Sequence, residues 1–372
     1  MTIKISKTEL FTRLQAASRV ISSKSITPIM SCFLFEQKTD CLKITAADEA
    51  GSIVTTIKGV EADKEYSFCL EAKMLLDSLK TLPEQPIIID INESNNEVTV
   101  KYHGGKFQMM GKDASLFVQP KTITEPSAFS ITTSSLLLGL SKTSFCVAND
   151  ELRPIMNGVY IEIADGAVSY VATDGHKLAW LKCNDLSIQE RAAFILPSKM
   201  AGVLKNILPN DETELTVEVN NSNVRFIFEA YSVIVRLIEG RYPNFRSVIP
   251  ASNDLNVLIN TISFKNALNR VQVFANASSR LVKLNLDSKK LVLIGQDIDY
   301  STNAEETVEC DSSDSITIGF KVDYLLDLIS VISSDDVRLT FSDSTKASLI
   351  LPSRNEAGTE FLCLLMPVMI ND

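Results

Sequence analysis

The sequence predicts an α+β protein built from three tandem copies of one unit, with antiparallel sheets and the helices gathered on one face. Three observations carry this reading. Thr27-Pro28-Ile29-Met30 lies 126 residues (153 minus 27) before Arg153-Pro154-Ile155-Met156. Ala47-Asp48 precedes Thr173-Asp174 by the same 126 (174 minus 48). Leu325-Leu326-Asp327 repeats Leu75-Leu76-Asp77 at 250 (325 minus 75). Long offsets kept in one phase are the mark of a duplicated unit.

The first unit opens with a strand over Thr2 to Ile5. Ser6 caps a helix, and Glu9 three residues on completes a capping box. Leu10, Leu14, Ala17 and Ile21 recur at helical spacing. After the Ser22 to Ser25 loop come strands near Ser31 to Glu36, Leu42 to Ala46 and Gly51 to Ile57. The second half has a strand at Tyr66 to Leu70 and a helix from Ala72 to Lys80, ended by Leu82-Pro83. Strands at Ile87 to Ile91, Glu97 to Tyr102 and Lys106 to Gly111 close it. A linker near Thr122 to Pro126 follows, and the pattern restarts: Leu136, Leu140 and Thr143 answer Leu10, Leu14 and Ala17. Val159 to Ile163 and Ala167 to Val171 alternate around Ala164-Asp165-Gly166, which predicts a hairpin. Asp174-Gly175 is a second turn and puts Thr173, His176 and Lys177 on a rim. A third copy starts near Asp254, with Phe264, Leu268 and Val271 on its first helix and Gly295-Gln296-Asp297 in place of Ala172-Thr173-Asp174. Its last strand is expected over Phe361 to Val368. The units are bounded at 1–122, 127–250 and 254–372. Six half-units of one shape suggest a curved arrangement, because closing a ring removes exposed sheet edges.

The chain has 372 residues, 45% hydrophobic and 22% charged, which is a globular composition with room for several cores. Its net charge of −10 argues against an ordinary nucleic-acid domain, although a basic surface can lie within an acidic total. Lysines and arginines concentrate on the helices and adjoining loops, and acids in turns and strand ends. Any contact with DNA is then expected to be with phosphates, independent of base sequence and sensitive to salt. The seven cysteines form no C-x-x-C pair and read as buried thiols of a reducing, cytoplasmic compartment. The first twenty residues lack an apolar core of a signal peptide, and no apolar run is long enough to span a bilayer.

Chemistry is hard to find. There are two histidines, His103 and His176. No nucleophile, phosphate-loop or dinucleotide motif accompanies them. A hydrolase using His176 is one reading and a binding turn at Asp174-Gly175-His176 the better one. No metal-ligand spacing and no cofactor motif is present. Trp180 reads as a packed strand residue. Leu364-Leu365-Met366-Pro367-Val368-Met369 is soft and apolar, suited to adaptable peptide recognition.

Ala172-Thr173-Asp174-Gly175-His176-Lys177-Leu178, Gly240-Arg241-Tyr242-Pro243-Asn244-Phe245 and Met366-Pro367-Val368 together resemble the bacterial DNA sliding clamp, the β subunit of DNA polymerase III, over the whole chain. The resemblance implies three tandem DNA-clamp domains, sheets outside and helices lining a central hole, in a homodimeric ring around double-stranded DNA. It implies a processivity factor without catalysis or cofactor that tethers the replicative polymerase, the clamp loader and other clamp-motif proteins. The implied partner groove comprises Met156, Thr173, Gly175, His176, Lys177, Leu178, Pro243, Val248, Tyr324, Thr345, Ala347, Leu364, Met366, Pro367 and Val368. Lys24, Lys73, Lys80, Asn149, Arg153, Lys199 and Lys205 are implied to face DNA. Phe107 and Met109 are implied to meet Val273 and Phe274 of the other chain. Ser198 and Ser247 stand where the family often has basic residues. A peptide-binding scaffold that never encircles DNA is the rival reading.

Overall fold

Apolar residues three and four apart place one buried stripe on each of the six helices among the described residues. Leu10, Leu14 and Ala17 are buried on α1 (Lys7–Ser18), Leu136 and Leu140 on α3 (Thr133–Thr143), and Phe264, Leu268 and Val271 on α5 (Thr261–Val271). The shorter helices α2 (Ala72–Lys80), α4 (Ser198–Ile207) and α6 (Val322–Ser330) bury Leu75 and Leu79, Met200 and Leu204, and Leu325 and Leu328. The Ser6 hydroxyl accepts from the Glu9 amide at 3.2 Å, so half of the expected capping box forms. The same Ser6 hydroxyl donates to Glu84 at 2.9 Å.

The chain, a computed structural model, is described over residues 1–22, 27–120, 122–184, 188–312 and 314–370. It divides into two compact units, Met1–Leu137 with Lys199–Leu237, and Leu138–Ser198 with Ile238–Asp372. The first unit holds a five-stranded and a nine-stranded sheet, and the second a twelve-stranded one. The strands Gly51–Lys58 and Tyr231–Arg236 pair antiparallel in the nine-stranded sheet, with Val235 facing Gly51 and Ile234 facing Ser52. The strands Lys177–Cys183 and Thr359–Leu365 pair in the same way in the twelve-stranded sheet, with Leu365 facing Lys177 and Leu364 facing Leu178. The second repeat therefore gives one of its sheets to each unit.

The hairpin expected around Asp165-Gly166 forms between Gly158–Ala164 and Ala167–Thr173. Its two turn residues have φ of 53° and 72°, the left-handed pair that a two-residue hairpin loop requires. One more turn occurs three times. Asp48 Oδ1 accepts from the amides of Ala50 and Gly51, Asp174 Oδ1 from those of His176 and Lys177, and Asp297 Oδ1 from those of Asp299 and Tyr300. Each carboxylate ties off the link between two strands of its repeat.

The last strand is shorter than the sequence suggests. It ends at Leu365, because Pro367 has no amide to continue a ladder. Met366 N–H instead donates to the His176 carbonyl at 2.9 Å and Val368 N–H to the Gly319 carbonyl at 2.8 Å.

Helix α3 lies against the fully buried Tyr170, and a Cβ added at Gly139 would come 2.4 Å from its ring. Gly139→Ala gains about 1 kcal/mol of helix propensity. The clash costs about 1–3 kcal/mol, so a net loss of up to about 2 kcal/mol is expected in urea melts. A gain in stability would show that the helix can shift off the ring.

Candidate peptide-binding surface

In the second unit two of the three resemblance motifs meet in one apolar cluster, and the third follows its member Leu364 in the chain. Val171, Leu178, Ile195, Tyr242, Phe245, Ala347 and Leu364 are buried together, with Ile155, Tyr160, Trp180, Ile238 and Ile249 packed against them. The aromatic members interlock: Tyr160 stacks on Tyr242 at 4.8 Å, and Trp180 meets Phe245 edge-on at 5.4 Å. Trp180 is thus a packing residue, as its strand position suggests. Burial pushes the Tyr242 phenol well above its ordinary pKa.

The Asp174 turn forms one edge of this cluster. Thr173 is buried, and its hydroxyl donates to the Lys177 carbonyl at 2.8 Å and accepts from the Gly175 amide. Gly175 has φ of +90°, and a Cβ there would touch the Arg153 guanidinium at 3.2 Å and lie 3.8 Å from the Met156 methyl. The positive φ strains any side chain there, and the Arg153 guanidinium would have to give way by a few tenths of an ångström. The exposed His176 ring stacks on Tyr324 at 6.1 Å. The Asp174 carboxylate is engaged by the backbone amides of His176 and Lys177.

Lys177 is buried although it carries a charge. Its ammonium donates to Asp327 at 2.6 Å and lies 4.9 Å from the Tyr324 ring centroid and 5.4 Å from that of Phe145. A buried cation needs such partners. Its partner Asp327 remains about half exposed. Asp327→Asn should therefore destabilise the chain by about 1–2 kcal/mol, discounted for the solvent around Asp327. Lys177→Met should cost less, since it removes the charge with the need. Thermal melts that rank the two in the opposite order would show that the ion pair, and not the burial of the lysine, sets the energy.

Three apolar side chains of this region are exposed. Val248 is 55% exposed, Met366 41% and Val368 37%. Pro243 and Thr345 are exposed on the loops that carry Phe245 and Ala347. The Met366 bond to His176 joins the tail to the turn, so the two motifs farthest apart in sequence share one edge. Such a surface offers apolar seats with a few polar groups around them, the character of a site for a short peptide.

Three participants were not legible in the sequence. Asp327 is visible there only as the repeat of Asp77. Phe145 follows α3 without a motif. Arg246, beside the anticipated gap at Ser247, brings its guanidinium to 4.5 Å from Phe245 and 5.7 Å from Trp180 and pairs with Glu162. Ser247 itself closes a turn on the Asn244 carbonyl.

The basic residues fall into two groups. Lys73 and Lys80 on α2 are exposed and make no ion pair among the described residues. Lys205 is half-buried on α4, Asn149 is exposed, and Arg153 is exposed and pairs with Asp150 at 2.8 Å. Lys199 is engaged by the Asp48 carboxylate and the Val20 carbonyl. Ser198 begins α4 and its amide donates to the Asn157 carbonyl. Lys24 lies outside the described residues. Five of the cysteines are buried and two half-buried, and none forms a disulfide. Burial pushes the Cys69 thiol up to about 12. No helix among the described residues is long and apolar enough to cross a membrane.

Residues 1–115, 130–244 and 246–368 match in turn the N-terminal, central and C-terminal domains of the DNA polymerase III beta subunit. The chain belongs to the DNA polymerase III beta subunit family. Its relatives include the beta sliding clamps of Pseudomonas aeruginosa, 27% identical over 96% of this chain and 97% of the relative, and of Bacillus subtilis, 27% identical over 99% of both. A crystal structure of the Pseudomonas aeruginosa sliding clamp bound to griselimycin superposes with a TM-score of 0.94 at 26% identity, covering 100% of both chains. This beta subunit thus consists of three tandem clamp domains and is a non-catalytic processivity factor of DNA polymerase III.

Proposed function

We propose that two copies of this beta subunit close around duplex DNA and hold partners through the surface at Met156, Thr173, Gly175–Leu178, Pro243, Val248, Tyr324, Thr345, Ala347, Leu364 and Met366–Val368. That surface takes a short apolar segment of the replicative polymerase, the clamp loader or another clamp-motif protein. The observation that carries this reading is the meeting of His176, Tyr324 and Met366 beside a buried apolar floor, in a chain of the clamp family. Tethering makes rebinding of a polymerase nearly intramolecular, which is the source of processivity.

The domains are taken as 1–122, 127–250 and 254–372, six to the ring, with their helices around a central hole. Lys73, Lys80, Lys205, Asn149 and Arg153, with Lys24, serve phosphates without base readout, and Lys199, the seventh of that set, is held by Asp48. Phe107 and Met109 meet Val273 and Phe274 of the second copy across two identical interfaces. The 75% and 41% exposure of Val273 and Phe274 supports this, because apolar side chains so open favour a covering partner. Seven cysteines outside any disulfide fit a cytoplasmic site of action.

The test is retention on DNA after loading by a clamp loader. The protein should stay on a closed circle through about 1 M salt, where direct phosphate contacts fail, and leave once the circle is cut. Equal retention on closed and cut DNA would sink the encircling reading.

A further inference from the structure

The pieces that build the peptide surface of the second unit have counterparts in the first. Ile29 and Met30 stand 126 residues (155 minus 29) before Ile155 and Met156, and Leu116 and Phe117 the same 126 (242 minus 116) before Tyr242 and Pro243. Arg236 N–H donates to the Ala50 carbonyl at 2.9 Å, the bond that Met366 N–H makes to the His176 carbonyl at 2.9 Å. Ala50 holds the place in the Asp48 turn that His176 holds in the Asp174 turn, so Arg236 stands where Met366 does. Ile234 faces Ser52 as Leu364 faces Leu178, and so stands where Leu364 does. Met30, Leu116, Ile234 and Arg236 all belong to the first compact unit.

This counterpart has an apolar floor of its own. Ile29, Cys32, Leu34, Ala47, Cys69 and Phe117 are buried together, with Met30 and Ala114 packed against them. Leu116 and Val118, on either side of Phe117, are 60% and 65% exposed. Open apolar side chains grouped over a buried floor mark a contact surface.

Its chemistry departs from that of the second unit at three points. Thr45 and Ser52 take the places of Val171 and Leu178. Both are buried on one face of the sheet, and their hydroxyls have no hydrogen-bond partner among the described residues. Such groups make the floor less favourable to a purely apolar ligand. Arg236 takes the place of Met366, is exposed and makes no ion pair among the described residues. A guanidinium offers five N–H donors in a fork that matches a carboxylate.

We propose that the first unit carries a second, weaker seat for partner segments, which takes an extended peptide with apolar residues on Met30, Leu116 and Val118 and a carboxylate on Arg236. Charge selects the occupant: at the point where the surface of the second unit is apolar, this one is cationic. The proposal rests on the peptide-binding reading of the second unit and adds a site to it.

Calorimetric titration of the chain ended after Leu365 tests it, with the acetylated amide of Leu-Asp-Leu-Leu as probe and its Leu-Asn-Leu-Leu form as control. The cut removes Met366 from the second unit and touches nothing in the first. One Asp peptide should bind per subunit, and the Asn peptide about fivefold more weakly, the difference made by an exposed ion pair. Arg236→Met should abolish that preference and leave the Asn peptide unaffected. Leu116→Ala should weaken both peptides about fivefold, with melting temperatures showing that each variant is folded. A truncated chain that binds neither peptide, or a preference that survives Arg236→Met, overturns the proposal while the reading of the second unit stands. A full-length chain that also fails to bind a labelled clamp-motif peptide overturns that reading too.

Discussion

A chain ended after Leu365 should remain folded and dimeric and lose partner-peptide binding by about a hundredfold. The strand Thr359–Leu365 is hydrogen-bonded on both sides, to Lys177–Cys183 and Ser348–Pro352, and the cut leaves it whole. The tail beyond is fastened by two backbone bonds, Met366 to His176 and Val368 to Gly319. Removing it exposes no large part of the core, but it takes away two apolar side chains of the open edge. Each such side chain contributes about 1.5 kcal/mol or more when a ligand covers it, and 1.4 kcal/mol is a factor of ten. Met366→Ala alone should weaken binding about tenfold by the same reasoning. Fluorescence anisotropy with a labelled clamp-motif peptide reads both, and the melting temperature reports on the fold. Unaltered affinity in the truncated chain would remove the tail from the site. A cut two residues earlier would be uninformative, because Leu364 and Leu365 are buried and belong to the sheet.

The fold was largely legible because its elements are set locally. Leu10, Leu14 and Ala17 need only helical spacing to define a buried stripe, and Asp165-Gly166 needs only its own turn chemistry to make a hairpin. The repeats added register, since Asp48, Asp174 and Asp297 mark one point in three copies. What the sequence hid is set by distant partners. Lys199 looks like any helix lysine until Asp48, 151 residues away, is beside it. Lys142 similarly donates to the Val331 carbonyl across 189 residues. Lys7 resembles a solvated helix residue and is buried over Phe11. The basic surface inferred from composition is thereby thinned, since several of its lysines are spent on the protein. The end of the last strand was misjudged for a local reason: an apolar run masked the consequence of Pro367. At the peptide surface the motif residues were legible as motifs, whereas Asp327, the group that lets Lys177 be buried there, carried no signal beyond its place in a repeat.

Paired cysteines at Gln108 and Thr302 should join two subunits covalently, and pairs one residue out of step should not. The expectation follows from register. Asn223 faces Arg236 and Glu97 faces Met110, so the two hairpins are 126 residues apart (223 minus 97, 236 minus 110) and Gln108 occupies the place of Ile234. Ala47 faces Ser52, Thr173 faces Leu178 and Asp297 faces Thr302, so Thr302 occupies the place of Ser52. Within the chain Ile234 faces Ser52. The strand Gly105–Met110 is the last of its sheet, and residues 302–309 of Thr302–Ser312 pair on one side only among the described residues. Two open edges with matching places in the repeat can extend the sheet from one copy into the next, with Gln108 opposite Thr302. Opposed residues in an antiparallel pair have Cα atoms about 4.5–5.5 Å apart, within the roughly 4.4–6.8 Å that a disulfide spans. Shifting to Gln108 with Asn303 turns one side chain to the other face of the sheet. After oxidation, Gln108→Cys with Thr302→Cys should run as a linked dimer on a denaturing gel, while each single variant and the shifted pair stay monomeric. Linked on a closed DNA circle, the ring should remain there even in denaturant, because no non-covalent interface is left to open. Efficient linking of the shifted pair would show that the subunit contact does not repeat the geometry of the junctions within the chain.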